Sequence, residues 1–171
     1  MFKYLQIETT TFCNATCWFC PNHLTPKEHM DIDLIYKIIN DTRGKGITYR
    51  PFGLGDPLVD TRMPDICRYI KQDPTAKVEV HSNGEPLTRK MELSLAPYID
   101  IVRFSIDGIT KKTFDETRGI KFDLVYNNVK RFINNHPELD IEVRMINLPD
   151  TQEEQTDFLE FWNNIRPGCA L

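Results

Sequence analysis

Three cysteines stand close together in Cys13-Asn-Ala-Thr-Cys17-Trp-Phe-Cys20, in a chain that holds five cysteines in all. Neighbours so close, in an odd total, suit a shared metal centre better than disulfide pairing. Three thiolates from one loop can wrap an iron–sulfur cluster, and a cubane of four irons would then keep one iron without a protein ligand, open to a substrate or cofactor. The alternative is zinc, which wants four ligands and would have to recruit His23, His29, Cys67 or Cys169. Cys67 falls on an apolar helical stripe and reads as a small buried hydrophobe, and Cys169 reads as a terminal thiol.

A second group of reactive side chains emerges from the elements that must position them. Short β-branched or aromatic runs alternate with helical patterns throughout, which predicts βα units around a parallel sheet. The strand runs are Tyr4 to Glu8, Ile47 to Phe52, Lys77 to His81, Ile101 to Ser105 and Ile141 to Ile146. Between them Asp31 caps a helix that Gly44 stops, Asp60 opens another through Met63, Ile66, Cys67 and Ile70, and Val125, Val129, Phe132 and Ile133 form a third stripe. Thr151-Gln-Glu-Glu154 reads as a capping box before a last helix. Because strand side chains alternate, Leu5, Ile7, Val78, Val80, Val102, Phe104, Ile141, Val143 and Met145 should face the helices. The other face then carries Glu79, His81, Arg103, Ser105, Glu142 and Arg144. Such alternation asks for a curved sheet whose concave side holds a polar ligand; an antiparallel sheet with one wet face is the alternative. His81 can act there as acid or base. Arg103, Glu142 and Arg144 can hold an anionic substrate or simply pair with one another.

The 171 residues suit one domain, residues 1–171, and 40% hydrophobic with 27% charged residues is the balance of a folded globular chain. A net charge of -4 argues against a broad grip on nucleic acid or anionic lipid. No apolar run approaches a membrane span, and Glu8 comes too early for a signal peptide, so the expected address is the cytoplasm.

The triplet Cys13-x-x-x-Cys17-x-x-Cys20, with an aromatic Phe19 before its last cysteine, resembles the signature of the radical SAM superfamily. The likeness continues along the chain. Gly53-Leu-Gly55-Asp56-Pro57 resembles the family's Gly-Gly-Glu-Pro, and Ser82-Asn83-Gly84 its Thr-Asn-Gly. Ser105-Ile-Asp107-Gly108 with Arg118-Gly119 resembles the branch of sulfatase-maturing, peptide-modifying and aminocyclitol-oxidising enzymes.

The resemblance implies an α/β fold, a partial, open, parallel (β/α) barrel of TIM-like kind with about five βα units. It implies a 4Fe-4S cluster on Cys13, Cys17 and Cys20, with S-adenosylmethionine on its open iron as the source of a hydrogen-abstracting radical. Around the cofactor, Gly53 and Gly55 would let backbone approach the methionine moiety, and Asp56 would meet its ammonium. Ser105 and Arg118 would bind its carboxylate. Phe19 would face adenine, and Asn83, beside Ser82, or Asp107 would bond ribose. His81 and Arg144 are the candidates for work on the substrate. The implied partners are a peptide or protein substrate, or alternatively a small polyol or aminocyclitol, with flavodoxin or ferredoxin as reductant. A non-catalytic cluster or zinc module is the reading from another class. Family barrels generally continue through a sixth βα unit, and this branch commonly appends a domain with auxiliary clusters. The chain therefore reads as a minimal core or as a fragment without that C-terminal domain, for which Cys169 would be a stranded cluster ligand. With five strands, the edge of the run Ile141 to Ile146 should lie open and invite dimerisation.

Overall fold

Apolar alternation predicts five strands, and the computed structural model, which describes residues 2–171, contains them: β1 Tyr4–Gln6, β2 Thr48–Arg50, β3 Lys77–Ser82, β4 Ile101–Ser105 and β5 Asp140–Arg144. All neighbours pair in parallel, in the order β1-β2-β3-β4-β5. The sheet is open and lined by helices, a partial TIM-like barrel. Its register sets Val80 beside Val102 and Val102 beside Ile141, so the apolar rows predicted from parity form one face, buried except for the partly exposed Leu5 and Met145. Parallel pairing requires a crossover after each strand, and the helices supply it.

These helices are α1 Ile32–Thr42, α2 Met63–Ile70, α3 Arg89–Leu95, α4 Lys111–Arg118, α5 Phe122–Asn135 and α6 Gln155–Ile165. Ile35 and Ile39 of α1, Met63, Ile66, Cys67 and Ile70 of α2, Val129 and Phe132 of α5, and Phe158 and Trp162 of α6 are buried in one core. Cys67 is sealed there, as its stripe implied, and burial pushes its thiol far up. Asp31 caps α1, its Oδ1 accepting from the N–H of Asp33 at 2.8 Å and of Leu34 at 3.2 Å. Among the described residues no helix is long and apolar enough to cross a membrane.

Two caps differ from the sequence reading. Asp60 does not open α2, which starts at Met63; its Oδ1 accepts from the backbone N–H and Nε of Arg62, at 3.0 and 2.9 Å. Thr151 and Glu154 do not form a reciprocal box either. Thr151 turns its hydroxyl to the Ile146 carbonyl at 2.8 Å. Glu154 reaches across to α4, accepting from the N–H groups of Ile109 and Thr110, at 2.6 and 3.2 Å, and from the hydroxyl groups of Thr110 and Thr113. An anion at a helix N-terminus is well placed, so this carboxylate ties the last helix to α4.

The expected bare edge of β5 is covered. After α6 the chain turns back, and Cys169 to Leu171 run parallel to β5: the N–H of Val143 donates to the Cys169 carbonyl at 2.7 Å, and that of Leu171 to Val143 at 3.0 Å. The expected dimer through that edge therefore has no free strand to use in this region. Nor is Cys169 a loose thiol, for it is buried and lies 3.2 Å from the Trp162 carbonyl.

Candidate functional site

Strand ends decide what meets at the carboxyl side of the sheet, where sites of parallel α/β folds collect. The loop after β1 carries the three cysteines, the loop after β2 carries residues 53 to 57, β3 ends at Ser82, and β4 ends at Ser105. Together they enclose one cavity of about 240 Å³. Its wall includes Cys13, Cys17, Cys20, Phe19, Gly53, Gly55, Asp56, His81, Ser82, Asn83, Ser105 and Arg118. Of the cluster, cofactor and substrate residues that the resemblance implies, all lie on this wall except Asp107 and Arg144.

The thiols ring the cavity as half-buried free cysteines. Among the described residues no three His, Cys, Asp or Glu side chains converge on the point a single metal ion would take. Burial pushes the Cys13 and Cys17 thiols up, and the Arg118 guanidinium opposes this at Cys17. Arg118 Nη1 lies 3.8 Å from Cys17 Sγ, its Nη2 is 2.5 Å from Asp107 Oδ2, and its guanidinium carbon is 5.9 Å from the centre of the Phe19 ring. Its buried Nε has no partner among the described residues.

Asp107 stands behind this arginine. Its Oδ1 accepts from the Ile146 N–H at 2.8 Å, and the fully buried carboxylate is spent on orienting Arg118 rather than facing a ribose. Asp56, on the same wall, is already engaged by the chain. Its oxygens accept from the N–H of Leu58 at 2.9 Å, the N–H of Asn83 at 2.7 Å and the Ser82 hydroxyl at 3.0 Å. Burial pushes its carboxyl up against those bonds. The side chain thus braces the loops after β2 and β3 against each other. Asn83 is similarly engaged: its amide donates to Asn14 Oδ1 at 2.9 Å and its Oδ1 accepts from the Glu85 N–H at 2.9 Å. The Ser105 hydroxyl makes no hydrogen bond among the described residues, which leaves it available to a ligand.

Gly55 is required by the chain itself. A Cβ there would sit 2.3 Å from the Thr10 carbonyl oxygen and 2.6 Å from that of Phe12, and one at Gly53 would sit 2.2 Å from Glu8 Oε1. The loop after β2 therefore presses directly on the segment leading to the cysteines, and the Asp56 N–H donates to the Phe12 carbonyl at 2.9 Å.

The polar sheet face is a charged lattice. Glu79, almost fully buried, accepts from Arg50 Nε at 2.9 Å, Arg103 Nε at 2.7 Å and His81 Nε2 at 2.8 Å. Burial raises its carboxyl, but the three donors outweigh that and hold it down at about 2. Arg103 also meets Glu142, and Arg144 Nε donates to Glu142 Oε2 at 2.8 Å. Arg144 is thereby drawn off the cavity wall, so its expected work on substrate gives way to the pairing alternative. His81 stays on the wall, stacked on Phe52 with ring centres 3.9 Å apart. Phe52 was missed in the sequence because it read as the last aromatic of a strand run, whereas the strand ends at Arg50.

The chain matches the radical SAM superfamily over residues 7–161. It is 26% identical over 149 residues to the GTP 3',8-cyclase of Chlorobaculum tepidum, covering 85% of this chain and 45% of that protein. It is 37% identical over 112 residues to the tungsten-containing aldehyde ferredoxin oxidoreductase cofactor-modifying protein of Pyrococcus furiosus, covering 61% and 31%. The chain thus spans less than half the length of these curated relatives. Streptococcus suis SuiB bound to S-adenosylmethionine superposes over 95% of this chain and 38% of its own, with TM-score 0.81 and 16% identity. Native anSMEcpe with bound AdoMet and Cp18Cys peptide does so over 98% and 49%, with TM-score 0.81 and 13% identity. These two likenesses carry the fold.

Proposed function

The chain belongs to the radical SAM superfamily, whose enzymes use a 4Fe-4S cluster and S-adenosylmethionine, and from that premise we propose that its cavity generates a radical for hydrogen abstraction from a peptide or protein side chain. The observation that carries the reading is the meeting of Cys13, Cys17, Cys20, Ser105 and Arg118 on one wall at the carboxyl ends of the strands. When bound, the cluster and S-adenosylmethionine supply a 5'-deoxyadenosyl radical, and the cofactor pair carries the difficult chemistry.

The residues present fit that pair. Three thiols from one loop ring the cavity, and Cys13, Cys17 and Cys20 would supply the thiolate ligands that hold the cluster. Arg118, paired with Asp107 and on the cavity wall, offers a charged guanidinium to a carboxylate, and the Ser105 hydroxyl a second donor. Phe19 gives adenine an apolar surface. Asp56, Ser82 and Asn83 hold the loops that shape the wall and contribute through position. A peptide substrate is favoured by the likeness to SuiB and to anSMEcpe, the latter with bound Cp18Cys peptide; oxidation of a small polyol or aminocyclitol is the second reading. A single-electron protein donor such as flavodoxin or ferredoxin completes the requirements.

Anaerobic reconstitution with iron and sulfide, followed by reduction and addition of S-adenosylmethionine, tests this. A broad visible charge-transfer band and 5'-deoxyadenosine are expected. Cys13→Ala, Cys17→Ala and Cys20→Ala should each lose the cluster iron, whereas Cys67→Ala should retain it. Retention of full iron by any of the first three, or a colourless zinc-loaded wild type, overturns the reading.

A further inference from the structure

On the cavity wall, His81 carries a hydrogen-bonding atom that the other described residues do not use. Its Nε2 is 2.8 Å from Glu79 Oε1. Glu79 is held ionised by Arg50 and Arg103, and an ionised carboxylate only accepts, so Nε2 must carry the proton. In the neutral ring the proton is then absent from Nδ1. That atom makes no hydrogen bond among the described residues, and it is not among their sealed, unpartnered polar atoms either. The ring can neither turn nor tilt freely, because Phe52 stacks on it with planes 17° apart. Burial favours the neutral ring, and Arg144 and Arg103 repel its charged form more weakly, against the attraction of Glu79.

We propose, resting on the reading of this cavity as the radical site, that His81 Nδ1 is a substrate-binding acceptor and Glu79 the positioning residue that fixes its tautomer. The substrate class that follows is one presenting a hydroxyl or N–H donor at the reacting end. A thioether or a purely hydrocarbon side chain would leave Nδ1 unpaired. This selects among peptide side chains and also accommodates a polyol.

The test reads the ring itself, without the cluster. In ¹⁵N-labelled protein, long-range proton–nitrogen spectra, with His81 assigned by its loss in His81→Asn, should show the Nε2-protonated tautomer and a bare Nδ1 at pH 7. Glu79→Gln, whose amide both donates and accepts, should shift the ring toward a mixture of tautomers. Titration with 1,2-cyclohexanediol should move the Nδ1 resonance saturably, and the dimethyl ether of that diol should not. An Nδ1-protonated or doubly protonated ring in the wild type overturns the proposal even where Glu79→Gln fails to fold, as does an equal response to diol and ether. The outcomes separate from those of the parent reading: absence of cofactor cleavage with an intact tautomer defeats the radical site, whereas a wrong tautomer with cleavage preserved defeats only the role of His81.

Discussion

At position 56 the side chain is one methylene shorter than the family's usual glutamate, and it stays among the backbone N–H groups beside it. Its three donor groups come from two loops, so truncation strands them in a buried setting, and each stranded donor costs about 1–3 kcal/mol. Asp56→Ala should therefore lower the unfolding free energy by about 3 kcal/mol or more in urea titration, a larger loss than for Ser105→Ala, whose hydroxyl has no partner in the chain. Equal stabilities would place Asp56 outside the brace. Glu79 gives the matching prediction in pH. Its folded pKa of about 2 lies below the ordinary 4.5, so its stabilising contribution is present above pH 4.5 and lost as pH falls from 4.5 towards 2. The difference amounts to at most about 3 kcal/mol. Urea midpoints measured across that window should fall more steeply for the wild type than for Glu79→Gln, and parallel curves would refute the assignment. Neither carboxylate's role was legible in the sequence. The motif places Asp56 beside the site, but only the folded chain shows that Leu58, Ser82 and Asn83 have already taken its oxygens.

Among the elements, what could be read locally was read well. The five strands declare themselves because apolar and polar residues alternate over enough positions to define a face, and α1 because Asp31 and an apolar stripe agree. By contrast α3 and α4 are short, and Lys111–Arg118 reads as a nearly all-polar run whose start is stabilised by Glu154, distant in sequence. Thr110 caps it locally, accepting from the Thr113 N–H at 3.2 Å, but no local pattern announces the added carboxylate from the residue before α6. The same holds for the cluster loop, whose docking sites are backbone groups. Thr16 N–H donates to the Arg118 carbonyl at 3.0 Å, and Gly119, at φ +66, passes so close that an added Cβ would lie 2.0 Å from Thr16 Oγ1. Gly55 meets carbonyl oxygens that cannot swing aside. Gly55→Ala should accordingly cost about 2 kcal/mol or more, in the range of overpacking substitutions, and should reduce the iron taken up per chain. Gly119→Ala should lose stability through the left-handed conformation as well, about 1–2 kcal/mol before any clash. Thermal denaturation with iron analysis of each variant checks both, and an unchanged iron content in Gly55→Ala would show that the two loops move independently.

For the molecule as a whole, five parallel strands cannot close a barrel, and an open sheet has two edges to protect. On the β5 side the backbone of Cys169 to Leu171 occupies the edge, anchored by Cys169 and Ala170 in the core and by the Arg166 guanidinium on the Leu139 carbonyl at 2.8 Å. The alternation in Ile141 to Ile146 was legible, and so was the risk it poses. That the covering segment would come from Pro-Gly-Cys-Ala-Leu was not, since those residues carry no alternating pattern and meet β5 only through a bridge at Ala170. Parallel pairing to the strand before the helix is also the register a further βα unit of such a barrel takes, so the edge is satisfied in the geometry the fold already uses. The amide protons of Val143 and Met145 donate to Cys169 and Leu171 at 2.7 and 3.3 Å, and should exchange slowly in deuterated water for that reason. Deleting residues 168–171 should release those two amides while leaving the Val80 and Val102 amides in the sheet interior protected. It should also expose the strand edge, so that light scattering reports concentration-dependent association absent from the intact chain. Rapid exchange at Val143 in the intact chain, or a truncated chain that stays monomeric with that amide protected, would show that these residues do not guard the edge.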